Sequence, residues 1–199
     1  EKPVYQVEKS ERTEINSRIV QVKAVYKNTL IYTEVVNSTM FKLNRTTGEI
    51  TLAGKLDYEE QKAYTLVIKA NDLKVIEKVG YTTVIIHVTD DNDNAPVIYD
   101  YPRHSIRVDL SKIKNNLPYN IGYVKARDKD SGTNGEIRYY LKQDYNAFSI
   151  DSENGTLYVR GHLDCCDVVY GLTVEARDEG IPPRHDEVEI SVMAFYPKT

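Results

Sequence analysis

Apolar positions along this chain recur with a period of two. TLVIKA (Thr65–Ala70), TTVIIHV (Thr82–Val88), LTVEA (Leu172–Ala176) and EVEISV (Glu187–Val192) alternate or run in β-branched residues between turn signals. No window carries a helical stripe. Short strands at regular spacing predict an all-β fold built as sandwiches.

An internal repeat sets the domain count. FKLNRTTGEITLAGKLDYEEQKAYTLVIKAND (Phe41–Asp72) aligns with FSIDSENGTLYVRGHLDCCDVVYGLTVEARD (Phe148–Asp178) with one single-residue gap. Phe41 matches Phe148, Gly48 matches Gly155, and Leu56-Asp57 matches Leu163-Asp164. The offset of 107 residues at the phenylalanines is close to one sandwich domain. The expected division is residues 1–89, a linker at 90–96, and residues 97–199. The stretch VTDDNDNAP (Val88–Pro96) falls at the junction.

Composition narrows the function classes. The 26 basic residues against 30 acidic ones argue against nucleic acid as a partner, which needs clustered Lys/Arg. No apolar run approaches the ~20 residues of a membrane span, so any membrane attachment or targeting segment is expected outside these residues. The two cysteines, Cys165 and Cys166, are adjacent. Neighbours meet disulfide geometry poorly, so free thiols are expected ahead of a vicinal bridge. Sequons begin at Asn37, Asn44 and Asn154 and suit a secreted, glycosylated chain.

Within VTDDNDNAP, Asp90, Asp91 and Asp93 stand beside Asn92 and Asn94. Such a cluster is either a solvated acidic linker or a set of oxygen ligands for a hard cation. The order and spacing of LDYE, DDNDNAP, ARDKDSGTNGEIRY and EARDEG decide for the second, because together they resemble the cadherin superfamily over essentially the whole chain. That resemblance implies two tandem seven-stranded Greek-key β-sandwiches with about three Ca2+ ions at the joint. By matching motifs, the outer ion takes Glu11, Asp57, Glu59 and Asp93. The middle ion takes Glu11, Glu59, Asp90, Asp93, Asp130 and the Asp91 carbonyl. The third takes the Asn92 side chain, Asp128, Asp130, Asp178 and the carbonyls of Asn94 and Asn134. Calcium chemistry agrees independently, since this ion accepts roughly six to eight mixed oxygen donors. Zinc would want His or Cys, and none falls in these motifs.

The chain departs from the family at both outer ends. AVYKNTL lacks the DxD of ARDKDSG, which leaves Asp72 without its usual partners. In the second repeat LDYE becomes LDCC, Lys112 is expected in place of the early glutamate, and Ala194 in place of Asp90. Metal-poor outer ends are therefore expected. Members that exchange strands dock a tryptophan; this chain has none, so a swapped dimer is not expected.

The resemblance implies a calcium-dependent cell-adhesion ectodomain, extracellular and part of a single-pass membrane protein. Its partners would be other cadherin ectodomains, homophilic or heterophilic, with no small-molecule substrate. A force-bearing link of a long cadherin is the alternative, and a microbial cadherin-like adhesin repeat a more distant one. An enzyme is not expected: His87, His104, His162 and His185 join no recognisable catalytic set, and DCCD is the only stretch with nucleophile potential.

Overall fold

The computed structural model describes residues 4–25, 28–75, 77–143, 146–166 and 168–197. Part of the AVYKNTL stretch (Tyr26, Lys27) and the last residue of DCCD (Asp167) lie outside them. The chain forms two compact units, Glu1–Asp91 and Asn92–Thr199.

In the first unit the strands are β1 (Val4–Ser10), β2 (Arg18–Gln21), β3 (Leu30–Glu34), β4 (Phe41–Leu43), β5 (Glu49–Leu52), β6 (Ala63–Asp72) and β7 (Val79–Thr89). They form two sheets, ordered β1-β7-β6-β3 and β2-β5-β4. Alternation in β6 and β7 turns Leu66, Ile68, Val84, Ile86 and Val88 inward, against Ile50, Leu52 and Leu56. β1 runs parallel to β7, from Val4↔Thr83 to Ser10↔Thr89.

The second unit repeats this plan with β8 (Val97–Asp100), β9 (Ile106–Asp109), β10 (Tyr119–Tyr123), β11 (Lys125–Arg127), β12 (Ile137–Leu141), β13 (Phe148–Ile150), β14 (Thr156–Val159), β15 (Val169–Asp178) and β16 (His185–Phe195). Its sheets run β12-β15-β16-β9 and β10-β14-β13, with β11 paired to β8. Nine strands are described where seven were expected, because the first two are each broken. Pro102, which lacks a backbone donor, falls in the first break. Between β10 and β11 Val124 leaves the ladder and donates instead to the Gly155 carbonyl at 2.9 Å.

The repeat read in the sequence is also a repeat of contacts. Phe41 meets Tyr64 edge-on at 5.2 Å, and Phe148 meets Tyr170 at 5.3 Å. The Tyr32 hydroxyl accepts from the Ala24 N–H at 3.1 Å, and that of Tyr139 from the Ala126 N–H at 2.8 Å. Gly48 and Gly155 share φ +71°, and a Cβ on either would collide with the carbonyl oxygen of Val22 or Val124.

Three sequence expectations need correction, and one short element was not read in the sequence. A single-turn helix, α1 (Leu110–Ile113), follows β9, capped by Asp109; one turn is too short to leave a stripe. The pair Phe195↔Asp109 corresponds to Thr89↔Ser10. The residue one beyond Ser10 is Glu11, and its counterpart beyond Asp109 is Leu110, not Lys112. By the same count Tyr196, not Ala194, stands where the first unit has Asp90; Ala194 matches the buried Val88. Finally, Cys165 and Cys166 are joined in a vicinal disulfide. A strand would point them to opposite faces, but Cys166 has φ +69°, and this left-handed turn brings its side chain back beside Cys165.

Candidate metal centre

In the first unit Glu11 directly follows β1, its N–H bonded to the Thr89 carbonyl at 3.2 Å. The residue is 3% exposed. Oε1 accepts from the Asp91 N–H and Oε2 from the Tyr58 N–H, each at 2.8 Å. The buried Leu56 anchors the loop that carries Asp57 and Glu59. One carboxylate oxygen from each of Glu11, Asp57 and Glu59 lies within 4.8 Å of the others, and Glu59 and Asp90 approach within the same limit. Glu11 and Asp57 pair with no Lys or Arg among the described residues. Asp91 turns its carboxylate to the Ser10 hydroxyl, which donates to it.

In the second unit Asp128 and Asp130 open the loop after β11, and the Asp130 N–H donates to Asp128 Oδ1 at 3.0 Å. Asn94 holds Asp130 twice, through its N–H at 3.1 Å and its side-chain amide at 2.6 Å. That amide also donates to the exposed Asp93 at 2.8 Å. Asp128 Oδ2 is shielded from solvent and accepts no hydrogen bond among the described residues. An orphaned carboxylate oxygen in a buried setting is costly, and a cation is the natural partner for it.

Asn92 and Asp178 form a second group there, 4% and 2% exposed. The Asn92 amide donates to Asp178 Oδ1 at 3.0 Å and to the Pro182 carbonyl at 2.7 Å. Asp178 also accepts the Gly180 and Arg184 N–H groups, which fixes its rotamer. The Asn134 side-chain oxygen approaches Gly180 beside Asn92, where a Cβ would find no room.

Each unit thus gathers its own share of the sequence-predicted oxygens: Glu11, Asp57, Glu59 and Asp90 in the first, and Asn92, Asn94, Asp128, Asp130, Asn134 and Asp178 in the second. The supports for them, Ser10, the Tyr58 and Asp91 amides and the Pro182 carbonyl, were not read in the sequence. Backbone partners leave no residue-type signal.

A further group, Glu175, His185 and Glu187, also brings one ligand atom each within 4.8 Å. Its signal was the register, which sets Glu175 directly opposite Glu187. Cations already fill it: Lys142 bonds Glu187 and lies 3.7 Å from Glu175, and Arg177 pairs with Glu175. The Lys142 hydrogen bond holds the Glu187 carboxyl below the ordinary range. This reads as an ion-pair network on the outer face of the sheet. The sequon asparagines Asn37, Asn44 and Asn154 are all exposed, and Asn44 Oδ1 accepts two backbone N–H groups, which fixes its orientation.

Comparison with known proteins matches the cadherin domain to residues 5–89 and again to 111–193. Human protocadherin Fat 4 is 30% identical over 201 residues, covering 96% of this chain and 4% of that protein. Human protocadherin-15 is 34% identical over 199 residues, covering 96% of the chain and 10% of that protein. Repeats EC22–24 of mouse cadherin-23 superimpose with a TM-score of 0.80 at 27% identity, covering 98% of this chain and 63% of theirs.

Proposed function

The chain belongs to the cadherin family, and from that premise we propose that it is a calcium-binding tandem of two cadherin domains in the extracellular part of a longer cell-adhesion protein. Domain one covers residues 1–89, the linker 90–96 and domain two 97–199. The calcium ligands are Glu11, Asp57, Glu59, Asp90 and the Asp91 carbonyl from the first unit. The second unit supplies Asn92, Asp93, Asn94, Asp128, Asp130, Asn134 and Asp178.

The observation that carries this reading is the convergence of Glu11, Asp57 and Glu59 oxygens within 4.8 Å, with Glu11 buried. Bare carboxylates so close repel one another strongly outside bulk water, and divalent cations supply the missing charge. The donor set is all oxygen and mixes carboxylate, amide and carbonyl, which fits calcium better than the stricter octahedron of magnesium. Glu11 can serve as a ligand because two backbone amides already hold it in place. Asp128 does so through Oδ2, its Oδ1 being used to hold the loop.

Adhesion through other cadherin ectodomains, an anchor elsewhere in the full protein and glycosylation at Asn37, Asn44 and Asn154 complete the proposal. Isothermal titration of chelator-treated protein tests the metal assignment: about three calcium ions per chain are expected, at the ~10⁻⁴–10⁻³ M affinities of extracellular modules. Asp93→Ala should weaken binding more than Asp178→Ala, since Asp93 serves two ions and Asp178 one. Six tight ions, or none at millimolar calcium, would overturn the ligand set.

A further inference from the structure

Charge is distributed unevenly along the chain. Residues 97–127 hold six Lys/Arg (Arg103, Arg107, Lys112, Lys114, Lys125 and Arg127) against two Asp, leaving 20 basic against 28 acidic side chains elsewhere. All six are exposed. The acidic balance of the whole chain conceals this basic stretch.

Four of the six rest on aromatic rings. Arg103 lies 5.4 Å from the Tyr101 ring centroid, Arg107 4.7 Å from Phe195, Lys125 4.9 Å from Tyr123 and Arg127 5.8 Å from Tyr99. None of these four pairs with a carboxylate among the described residues. A ring face orders a cation without neutralising it, so the charge stays available. The contrast within the same unit is sharp. On the β12-β15-β16 sheet, Arg138 is paired with Glu136, Glu153 and Glu179, and Lys142 and Arg177 with Glu175.

These cations sit on β9, on α1 and its C-cap, on β11 and on the segment between β8 and β9. Pro102 and Ile106 pack over Gly122, which joins the β8–β11 pair to β9 and β10. Arg107, Lys112, Asn120 and Phe195 border an open groove of about 410 Å³ beside them. Of the two acidic groups of the stretch, Asp109 caps α1 and lies 3.9 Å from Lys112, and Asp100 is the ladder neighbour of Lys125 with no ion pair between them among the described residues.

We propose that this surface of the second unit binds a sulfated, glycosaminoglycan-type polysaccharide. Arg107 at the margin of an open groove, with the ring-held Arg103, Lys125 and Arg127 on the same stretch of chain, suits a linear polyanion, whose binding gains from counterion release. The forked guanidinium groups match oxyanions in particular. The exposed rings of Tyr99 and Tyr123 add surface for the sugar itself. The site uses none of the calcium ligands.

The test measures binding of the 199-residue chain to a heparin dodecasaccharide in millimolar calcium and about 0.15 M NaCl, where screening is already strong. Binding that weakens with salt is expected. Combined Arg103→Ser, Arg107→Ser and Lys125→Ser should weaken it at least about tenfold, while Lys42→Ser with Lys55→Ser in the first unit should leave it within about twofold. A second measurement needs no variant: heparin should protect Arg103, Arg107 and Arg127 from phenylglyoxal, but not Arg45. No binding, equal losses in both variants, equal protection of Arg45, or binding to phosphatidylserine vesicles but not to heparin would each overturn the proposal.

Discussion

Glu11 has two roles that can be separated, because its carboxylate is buried and hydrogen-bonded before any metal is considered. Glu11→Ala removes two acceptors, leaving the Asp91 and Tyr58 N–H groups unpaired. Hydrogen bonds to charged groups are worth about 1.5–3 kcal/mol each. Taking the lower figure for both, because water can enter the gap, gives about 3 kcal/mol in the first unit. For a domain of this size each kcal/mol moves the Tm by about 4–8 °C, so the loss is about 12–24 °C. Glu11→Gln keeps one carbonyl acceptor and should lose about half of that. Scanning calorimetry in EGTA reads this directly, as a downward shift in the transition of the first unit alone. Repeating the scans in calcium should enlarge the gap between wild type and both variants. A first-unit transition that does not move on Glu11→Ala in EGTA would refute the reasoning, since relief of the repulsion with Asp57 and Glu59 would then outweigh or match the two amide bonds.

Gly48→Ala and Gly155→Ala should each destabilise their own unit by more than ~2 kcal/mol in urea titrations, combining left-handed strain with a carbonyl clash; wild-type midpoints would contradict this. The Asn28 amide, opposed by burial, holds the Asp72 carboxyl below its ordinary value. A depressed pKa adds stability above the unfolded value, lost as pH falls through the folded one. Asn28→Ala should therefore cost stability above about pH 4, with the gap to wild type closing in more acid solution, as followed by pH-dependent urea melts. Without reductant, iodoacetamide should label neither Cys165 nor Cys166, and both after reduction, as read by mass spectrometry. Cys166→Ser should leave calcium titration unchanged.

The duplicated sandwich was legible because its demands are local: a glycine where φ is positive, a phenylalanine under a tyrosine, alternation along β6 and β15. The oxygen ligands were legible because metal chemistry restricts residue type. The two misplaced positions share one cause. Ala194 and Tyr196 are two residues apart, as are Leu110 and Lys112. Both lie where a strand ends, beyond the alternation that fixes register, and the ladder Phe195↔Asp109 sets the correspondence. The cysteine bridge depended on a single φ angle that residue type does not report. The basic surface escaped notice because net charge averages over the chain, whereas recognition responds to what one patch presents.

The parallel pairing of first and last strands has a consequence for how each unit yields under tension. Chain entering along β1 and leaving along β7 is pulled in opposite directions on adjacent strands, so their ladder is loaded in shear, all rungs together, and cannot be unzipped one at a time. That ladder spans seven residue pairs in the first unit, while its counterpart between β9 and β16 spans four. By this ladder alone the second unit is expected to yield at the lower force in single-molecule pulling.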